Sequence, residues 1–285
     1  MVSLRIMTAG DVPLGMRLCE QAGWNQTAAD WQRCLDLQPD GCFVAEDEGV
    51  PVGTVTTCIF GSVAWIAMVL VDVTVRGRGI GRRLLETTLA FLDARGIASV
   101  RLDATPLGRP LYQSLGFVEE YTVIRYEGVP SAAAVAAACS NAIAVDAMSA
   151  AHWERVLQLD RQITCTDRQA LLCRLFVENL EEWHVAERGE EVLGYVAARP
   201  GSRAWQMGPC VATVAEAGLL LLRDAWRRHA GQWVFVDVPT DNRAALAAVQ
   251  AAGLVPQRPL YRMGRGPKVP ERIEHLWASF GPEKG

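Results

Sequence analysis

The amino-acid sequence predicts two consecutive copies of one mixed α+β fold. Its 285 residues exceed the size at which a single hydrophobic core usually stops growing, which favours two domains. Sequence from the first half also recurs in the second: residues 43–46 (FVAE) return 141 residues later as residues 184–187 (HVAE). Each copy has the same order of strand-like and helix-like segments. This internal repeat indicates tandem domains rather than one large domain.

The elements of each copy follow from the spacing of apolar residues. Alternation at Leu4 and Ile6 predicts a first strand, and helical spacing predicts two helices after it. Apolar runs separated by turn residues then predict three strands, followed by a helix, a strand, a short helix and a last strand. The predicted order is therefore β, α, α, β, β, β, α, β, α, β. In the first copy the elements after the first strand span residues 11–20, 28–37, 43–46, 51–60, 64–73, 79–95, 99–103, 109–115 and 118–126.

The boundary between the copies is predicted from a break at Pro130, since a proline disfavours helix in the residue before it. We predict a first domain over residues 1–127, a linker over 128–141, a second domain over 142–267 and a C-terminal tail over 268–285. The tail lies outside the repeat. The alanine-rich run at 131–138 is compatible with a short helix or with a loose connector.

Composition and charge exclude several classes of function. Half of the residues are hydrophobic and 21% are charged, as in a globular protein, and the net charge is only -4. Because the basic residues form no block, neither nucleic acid nor a membrane is a predicted partner. No signal segment or long apolar run is present, which predicts a cytoplasmic protein. The spacing of cysteines and histidines predicts no metal site.

The most informative segment is a predicted strand that leads through a glycine-rich turn into a helix. Glycines at positions 77, 79 and 81 let the backbone approach a ligand closely, and the amide groups at a helix start favour an anion. Three arginines add positive charge: Arg76, Arg78 and Arg82. The segment is neither a Walker A loop nor G-x-G-x-x-G, because the required lysine and third glycine are missing. It predicts a phosphate-binding loop.

Residues 76–81 (RGRGIG) fit the pyrophosphate loop [QR]-x-x-G-x-[GA] of the GCN5-related N-acetyltransferases (GNAT), which the first 127 residues resemble. The resemblance implies a GNAT fold in each half, with a mixed, mostly antiparallel, twisted sheet flanked by helices. It implies acetyl-CoA as co-substrate, with the pantetheine arm bonded to the strand before the loop, where neighbouring strands splay apart. The implied cofactor-binding residues are Val69, Leu70, Val71, Arg76, Gly77, Arg78, Gly79, Ile80, Gly81, Arg82, Thr105 and Tyr112.

A second motif, at residues 105–117, resembles the family's N-x-x-A-x-x-L-Y-x-x-x-G-F segment. The resemblance makes Tyr112 the catalytic residue that protonates the departing thiolate of CoA, a role that suits a phenol. A tyrosine of the hydrophobic core is the alternative. Thr105 departs from this motif, because the family usually has asparagine at the position, where its side chain contacts the cofactor.

Candidates for the remaining roles are less well marked. Asp72 and Asp103 end two successive predicted strands and are candidate bases for the ammonium proton, with capping of a helix or loop, or a water chain acting as the base, as alternatives. For the acceptor side we predict Trp24, Asn25 and Trp65. A helix-connecting turn with a core tryptophan is the alternative for residues 21–27.

The second copy resembles a degenerate GNAT domain of the YitH type. It is five residues shorter where the phosphate loop should be, and Val249 stands at the position of Tyr112. We therefore predict one active half, which transfers an acetyl group by direct attack to a primary amine of a small molecule or protein. The alternatives are a non-catalytic acyl-CoA sensor and a structural protein with a relict loop. The acceptor stays open, as does the choice between a monomer and a homodimer.

Overall fold

A computed structural model describes residues 2–136 and 142–282 of the chain. The first half has the predicted order of elements, which begins with a strand and two helices and ends with a short helix and a strand. In chain order these are β1 Val2–Ile6, α1 Val12–Ala22, α2 Ala28–Leu37, β2 Phe43–Asp47, β3 Val50–Phe60, β4 Val63–Val71, α3 Ile80–Asp93, β5 Ser99–Ala104, α4 Arg109–Ser114 and β6 Val118–Gly128.

The second half repeats this order after a short helix, α5 (Ala132–Val135), in the alanine-rich run. Residues 137–138 of that run lie outside the described residues. The repeated elements are β7 Ala144–Ala147, α6 Trp153–Thr164, α7 Gln169–Glu178, β8 His184–Arg188, β9 Glu191–Arg199, β10 Trp205–Ala212, α8 Ala215–Arg228, β11 Val234–Pro239, α9 Arg243–Ala251 and β12 Val255–Arg265, and a short strand, β13 (Leu276–Ala278), follows. The tandem mixed fold is confirmed.

The two halves share one continuous sheet, in which the last strand of each half is exchanged. The strands lie in the order β1-β2-β3-β4-β5-β12-β6-β11-β10-β9-β8-β7, with β13 beside β10. β12 of the second half pairs with β5 of the first, and β6 of the first half pairs with β11 of the second. Most of the neighbouring pairs are antiparallel, and β4-β5 and β10-β11 are parallel. Each half is therefore completed by the other.

A buried ion pair connects each exchanged strand to a neighbouring strand of the other half. Arg262 on β12 donates to Asp103 on β5 through Nε and Nη2, at 2.6 and 3.0 Å. Arg125 on β6 donates to Asp237 on β11 in the same two-point manner, at 2.8 and 2.7 Å. All four residues are buried or nearly so. Because each carboxylate meets a planar guanidinium fork, the two contacts also define the register of the exchange.

The helices of the two halves bury a common apolar core on one face of the sheet. This cluster contains residues from α1 and α2 as well as from α6 and α7. At its edge, Nε of Arg33 on α2 donates to Oε2 of Glu178 on α7 at 3.0 Å. Within residues 2–136 and 142–282, no helix combines the length and the apolar character needed to cross a membrane.

The segment after residue 267, predicted to be a tail outside the repeat, packs into both halves. Glu271 is buried between the halves, where it accepts a 2.8 Å bond from Arg101 Nη2 and a 2.7 Å bond from the Tyr121 hydroxyl. Arg262 lies 3.6 Å away. Burial raises the pKa of Glu271, but Arg101 and Arg262 outweigh burial and lower it from 4.5 to about 2. The tail is thus part of the core of the molecule.

Glu271→Gln is expected to destabilise the protein by about 3 kcal/mol at pH 7, because it leaves buried guanidinium groups without their shared carboxylate. Since the folded-state pKa of Glu271 is lowered, this advantage of the wild type is complete above about pH 4.5 and is lost as the pH falls towards 2. Denaturant unfolding of both proteins across this range measures it. Glu274→Gln, at an exposed position of the same segment, is the control and should change stability by less than about 0.5 kcal/mol. An equal effect of both substitutions would contradict the stabilising role of the Glu271 carboxylate.

Candidate active site

The site begins where β4 and β5 separate. These parallel strands pair over three positions, from Val63 opposite Ser99 to Trp65 opposite Arg101, and then diverge. Beyond Trp65, β4 remains paired with β3 on one side only. The other edge of β4 therefore presents backbone N–H and C=O groups to the opening between the strands. The predicted splay beside residues 69–71 is present.

A β-bulge shapes β4 within this opening. The pairing with β3 shifts between Thr54, opposite Leu70, and Thr56, opposite Ala67. Two residues of β4 thus face one residue of β3, and Met68 takes a left-handed φ of 49°. The Thr54 hydroxyl donates to the Met68 carbonyl at 2.9 Å and holds the bulge. A strained, non-glycine backbone held in this way is frequent at functional sites.

The glycine-rich turn leads into the start of α3 at the mouth of the opening. Gly77 and Gly79 have left-handed φ values of 78° and 77°, a conformation that side chains rarely adopt. A Cβ atom at either position would point into open space, with nothing within 4 Å. Gly79 is the N-cap of α3 and has no side chain to occupy the first amide groups of the helix. The geometry of the turn therefore leaves backbone amides available to an anion.

The arginines of the turn differ in where they point. Arg76 Nε donates to the Val71 carbonyl at 2.9 Å, and Arg82 Nη2 donates to the Ser114 hydroxyl at 2.7 Å. Both residues line the groove described next. Arg78 instead turns away, and its Nη1 donates to Asp47 at 2.6 Å. Because this contact holds Arg78 outside the groove, its predicted role in cofactor binding is not supported by the geometry.

One groove of about 770 Å³ joins the turn, the strand opening and α4. We call it the outer groove, and its volume is in the range of small-molecule and cofactor sites. All of the predicted cofactor residues except Arg78 line it: Val69, Leu70, Val71, Arg76, Gly77, Gly79, Ile80, Gly81, Arg82, Thr105 and Tyr112. Sequence motifs about 30 residues apart are thus brought together on one surface.

Beneath the outer groove lies a smaller cavity of about 30 Å³, here called the inner recess, which is lined by residues 66–69 of β4 and by neighbouring side chains. Tyr112 lines both cavities, and its ring packs edge to face against Phe117. Gly108 makes room for that ring, because a Cβ atom there would lie 2.9 Å from Tyr112 Cε2. Burial raises the pKa of the Tyr112 phenol above its ordinary value, so the hydroxyl stays protonated at neutral pH. Thr105 also lines both cavities, and its hydroxyl accepts a bond from the Gly108 amide at 3.2 Å.

The two candidate bases have different surroundings. Asp103 lines both cavities, and burial raises its pKa despite the two bonds from Arg262. Among the described residues Asp103 caps no helix or loop, because each of its carboxylate oxygens instead accepts one bond from Arg262, which leaves a further lone pair on each oxygen. Asp72 does cap, since it accepts bonds from the amide and hydroxyl of Thr74. These bonds and the ion pair with Arg17 lower the pKa of Asp72, which makes it a poor base.

The three residues predicted to bind the acceptor lie in different surroundings. Trp24 lines both cavities. The Asn25 side chain is buried against the second half, where Nδ2 donates to the Ala204 carbonyl at 3.0 Å and Oδ1 accepts from the Arg203 and Ala204 amides. Trp65 lies outside both cavities, stacks beneath Arg262 and donates from Nε1 to Pro282. The acceptor roles predicted for Asn25 and Trp65 are corrected to structural ones, because both side chains join the two halves.

The second half supplies side chains that the sequence motifs did not indicate. Arg258 lines both cavities, while Leu260 and Pro282 line the inner recess. Both Arg258 and Leu260 reach the site because β12 is exchanged into the first half's side of the sheet. They belong to no local motif, and only the strand exchange brings them to the site.

Comparisons with known proteins find family matches in both halves of the chain. The acetyltransferase (GNAT) domain family matches residues 38–119 in the first half and residues 156–278 in the second. Together the two matches cover well over half of the chain. The chain belongs to the GNAT acetyltransferases. It carries two GNAT domains in tandem, as the repeat predicted.

Individual relatives match one half or the whole of the chain. The holothin acyltransferase of a Pseudoalteromonas species is 26% identical over 254 residues, which are 88% of this chain and 83% of that protein. The uncharacterised N-acetyltransferase YitH of Bacillus subtilis is 30% identical over 39% of each chain. A solved structure of a candidate acetyltransferase from Pyrococcus horikoshii, 22% identical, covers 100% of this chain and 96% of its own with a TM-score of 0.83. The last comparison shows that both GNAT domains share its fold.

The second GNAT domain has lost the corresponding groove. The register with the preceding strand makes Cys210 and Val211 the counterparts of Val69 and Leu70. Cys210 and Val211 pair with Ala278 and Leu276, so β13 lies where the opening beside β4 lies in the first domain. Asn242 Nδ2 donates to the Leu276 carbonyl at 3.0 Å and helps to hold the strand.

The loop and the tyrosine are also replaced in the second domain. The N-cap of α8 is Val214, with an extended φ of -131°, where α3 has a left-handed glycine. Val249, at the position of Tyr112, is fully buried. Between residues 142 and 282, the second GNAT domain therefore has neither a left-handed glycine turn before α8 nor an opening beside β10.

Proposed function

We propose that the chain is an N-acetyltransferase that moves an acetyl group from acetyl-CoA to a primary amine. The observation that carries this proposal is the outer groove, where an amide-lined turn, an open strand edge and a buried phenol share one surface. In this assignment residues 1–127 supply the chemistry, and residues 142–267 are a non-catalytic partner.

Residues of the first domain would hold the donor from its phosphates to its thioester. The amides at Gly79, Ile80 and Gly81 suit the pyrophosphate, and the open edge of β4 at Val69 to Val71 suits the amides of the pantetheine arm. Acetyl-CoA supplies an activated acetyl thioester. The groove is large enough for this elongated ligand and opens inward at Tyr112.

The protein must act on the thioester in two ways, by polarising its carbonyl group and by protonating the departing thiolate. The amine nitrogen forms a bond to the carbonyl carbon, the C–S bond breaks, and the electron pair stays on sulfur. We assign polarisation of the carbonyl to the backbone amides of β4 near the Met68 bulge. The Tyr112 hydroxyl gives its proton to the thiolate, and burial keeps it protonated until then.

The attacking amine must also lose a proton, and we assign this task to Asp103, directly or through water. Asp103 lines both cavities, and its raised pKa makes it a better acceptor of a proton than an ordinary aspartate. Trp24 and Gln26 line the same inner recess and form the acceptor side. The products are an amide and CoA.

Asp103→Asn is expected to lower kcat about a hundredfold, because asparagine can still accept bonds from Arg262 but cannot take a proton. Its pseudosymmetric counterpart provides a matched control: Asp237→Asn weakens the equivalent ion pair with Arg125, and neither of these two residues lines the outer groove or the inner recess. Both variants should lose similar stability in denaturant unfolding, and Asp237→Asn should keep kcat within about threefold. If the two variants lose activity equally, Asp103 is a structural residue and the base lies elsewhere.

The proposed function is tested by detecting CoA thiol released from acetyl-CoA in the presence of a panel of primary amines. Mass spectrometry of the amines identifies the acetylated product. Amine-dependent release that matches the amount of amide formed supports the proposal. Binding of acetyl-CoA without transfer to any amine would favour the alternative of an acyl-CoA sensor and contradict the transferase assignment.

A further inference from the structure

Arg258 is placed where the two cavities meet. It lines both the outer groove and the inner recess, as do Tyr112, Asp103 and Trp24. The phosphate-binding turn at residues 76–82 lines only the outer groove. Arg258 therefore lies at the thioester end of the site, and the phosphates of the donor lie at the other end.

The guanidinium of Arg258 has no carboxylate partner. Within residues 2–136 and 142–282, no acidic side chain lies within 4 Å of it, and its buried Nε has no hydrogen-bond partner. Arg262, four residues further along the same strand, has Asp103 at 2.6 Å. A half-buried arginine without an anion is unusual, because removing its charge from water is costly unless it is paired.

Two arginines and two acidic residues act on the charge of Arg258. Arg125 and Arg203 repel it, and Asp237 and Glu127 attract it without forming an ion pair with it. Asp237 already accepts both bonds of the Arg125 fork, and Glu127 accepts a bond from Gln257. Burial and the repulsion by Arg125 lower the pKa of Arg258 to about 10, so it still carries its charge at neutral pH.

We propose that Arg258 binds an anionic group, a carboxylate or a phosphate, on the acceptor substrate. The acceptor class is then a primary amine that also carries an acidic group, with the amine directed towards Asp103 and Tyr112. This inference rests on the proposed function and adds the substrate class. A guanidinium group can bind either kind of oxyanion through two hydrogen bonds. Arg258 reaches the site from the second half of the chain because β12 is exchanged into the first half's side of the sheet.

The test compares amine pairs that differ only in the anionic group. Glucosamine 6-phosphate and glucosamine form the phosphate arm, and alanine and alaninamide form the carboxylate arm, with rates corrected for the fraction of neutral amine. For the wild type, kcat/KM should favour the anionic member of at least one pair roughly ten- to a hundredfold. The arm that shows this preference identifies the anion.

Arg258→Gln should reduce the preference to about one, and Arg258→Lys, which keeps the charge without the fork, should retain part of it. Arg188→Gln, at an exposed position of β8, is the matched control and should leave the preference unchanged. The melting temperature of Arg258→Gln should equal or exceed that of the wild type, because an unpaired buried charge is removed. A structural role for Arg258 would predict the opposite change.

Acetyl-CoA binding, measured by calorimetry on the same preparations, separates this inference from the proposed function. Two results would overturn the inference, provided that wild type and Arg258→Gln both bind acetyl-CoA. One is that the wild type prefers the neutral amines, and the other is that Arg258→Gln keeps the preference for the anionic amines. If no amine is acetylated, the proposed function itself is overturned.

Discussion

Gly79→Trp is expected to weaken acetyl-CoA binding at least about a hundredfold. A side chain at this position must adopt a φ of 77°, which costs about 1–2 kcal/mol, or the turn must change its shape. Its Cβ would also point into the space above the turn, where we place the pyrophosphate. Loss of even one charge-assisted amide contact adds about 1.5–3 kcal/mol, and 1.4 kcal/mol corresponds to a factor of ten.

Gly189→Trp is the matched control for this substitution. Gly189 also has a left-handed φ, 58°, and open space at its Cβ, but it lies in the turn between β8 and β9 of the second domain. The same change should therefore cost similar backbone strain and leave acetyl-CoA affinity within about twofold. Calorimetric titration of both variants decides the point. Equal affinities of Gly79→Trp and wild type for acetyl-CoA would show that the turn does not hold the donor.

Tyr112→Phe is expected to lower kcat about a thousandfold and to leave acetyl-CoA affinity unchanged within about threefold. The substitution removes the proton donor and keeps the ring that packs against Phe117. General acid catalysis contributes about 10² to 10⁴ in rate, which sets the size of the loss. Steady-state rates and calorimetry on the same variant measure the two quantities separately. A variant that loses binding in parallel with kcat would indicate a core tyrosine without a catalytic role.

The pH dependence of the wild type provides a second check on this role. The protonated phenol is the active acid, and burial raises its pKa above the ordinary value of 10. The rate should therefore not fall through deprotonation of Tyr112 as the pH rises to about 10. A descending limb of kcat below that pH that is absent in Tyr112→Phe would contradict the assignment.

The order of elements and the donor side of the site could be predicted from the sequence because both depend on local pattern. Apolar spacing defines each strand and helix, and the glycine-rich turn and Tyr112 belong to short motifs. The predicted helix over residues 79–95 begins one residue later, at Ile80, because Gly79 takes the left-handed conformation at the N-cap.

The acceptor side could not be predicted in the same way because it depends on pairing between distant strands. β6 and β12 occupy equivalent places in the repeat, and the sequence of neither strand indicates which half of the chain it pairs with. The exchange brings Arg258 into the site, and contacts between the halves occupy Asn25 and Trp65. The packing of residues 268–282 is equally non-local, since β13 pairs with the edge of β10, which lies about 65 residues earlier in the chain.

In the proposed function the first GNAT domain alone binds acetyl-CoA, and a calorimetric titration of the full chain with acetyl-CoA tests this directly. One site per chain is expected, because the first domain has an amide-lined turn and an open groove, whereas β13 fills the equivalent opening in the second domain. A stoichiometry of two would contradict the loss of the second site. Absence of binding would contradict the assignment of the groove and, with it, the proposed function.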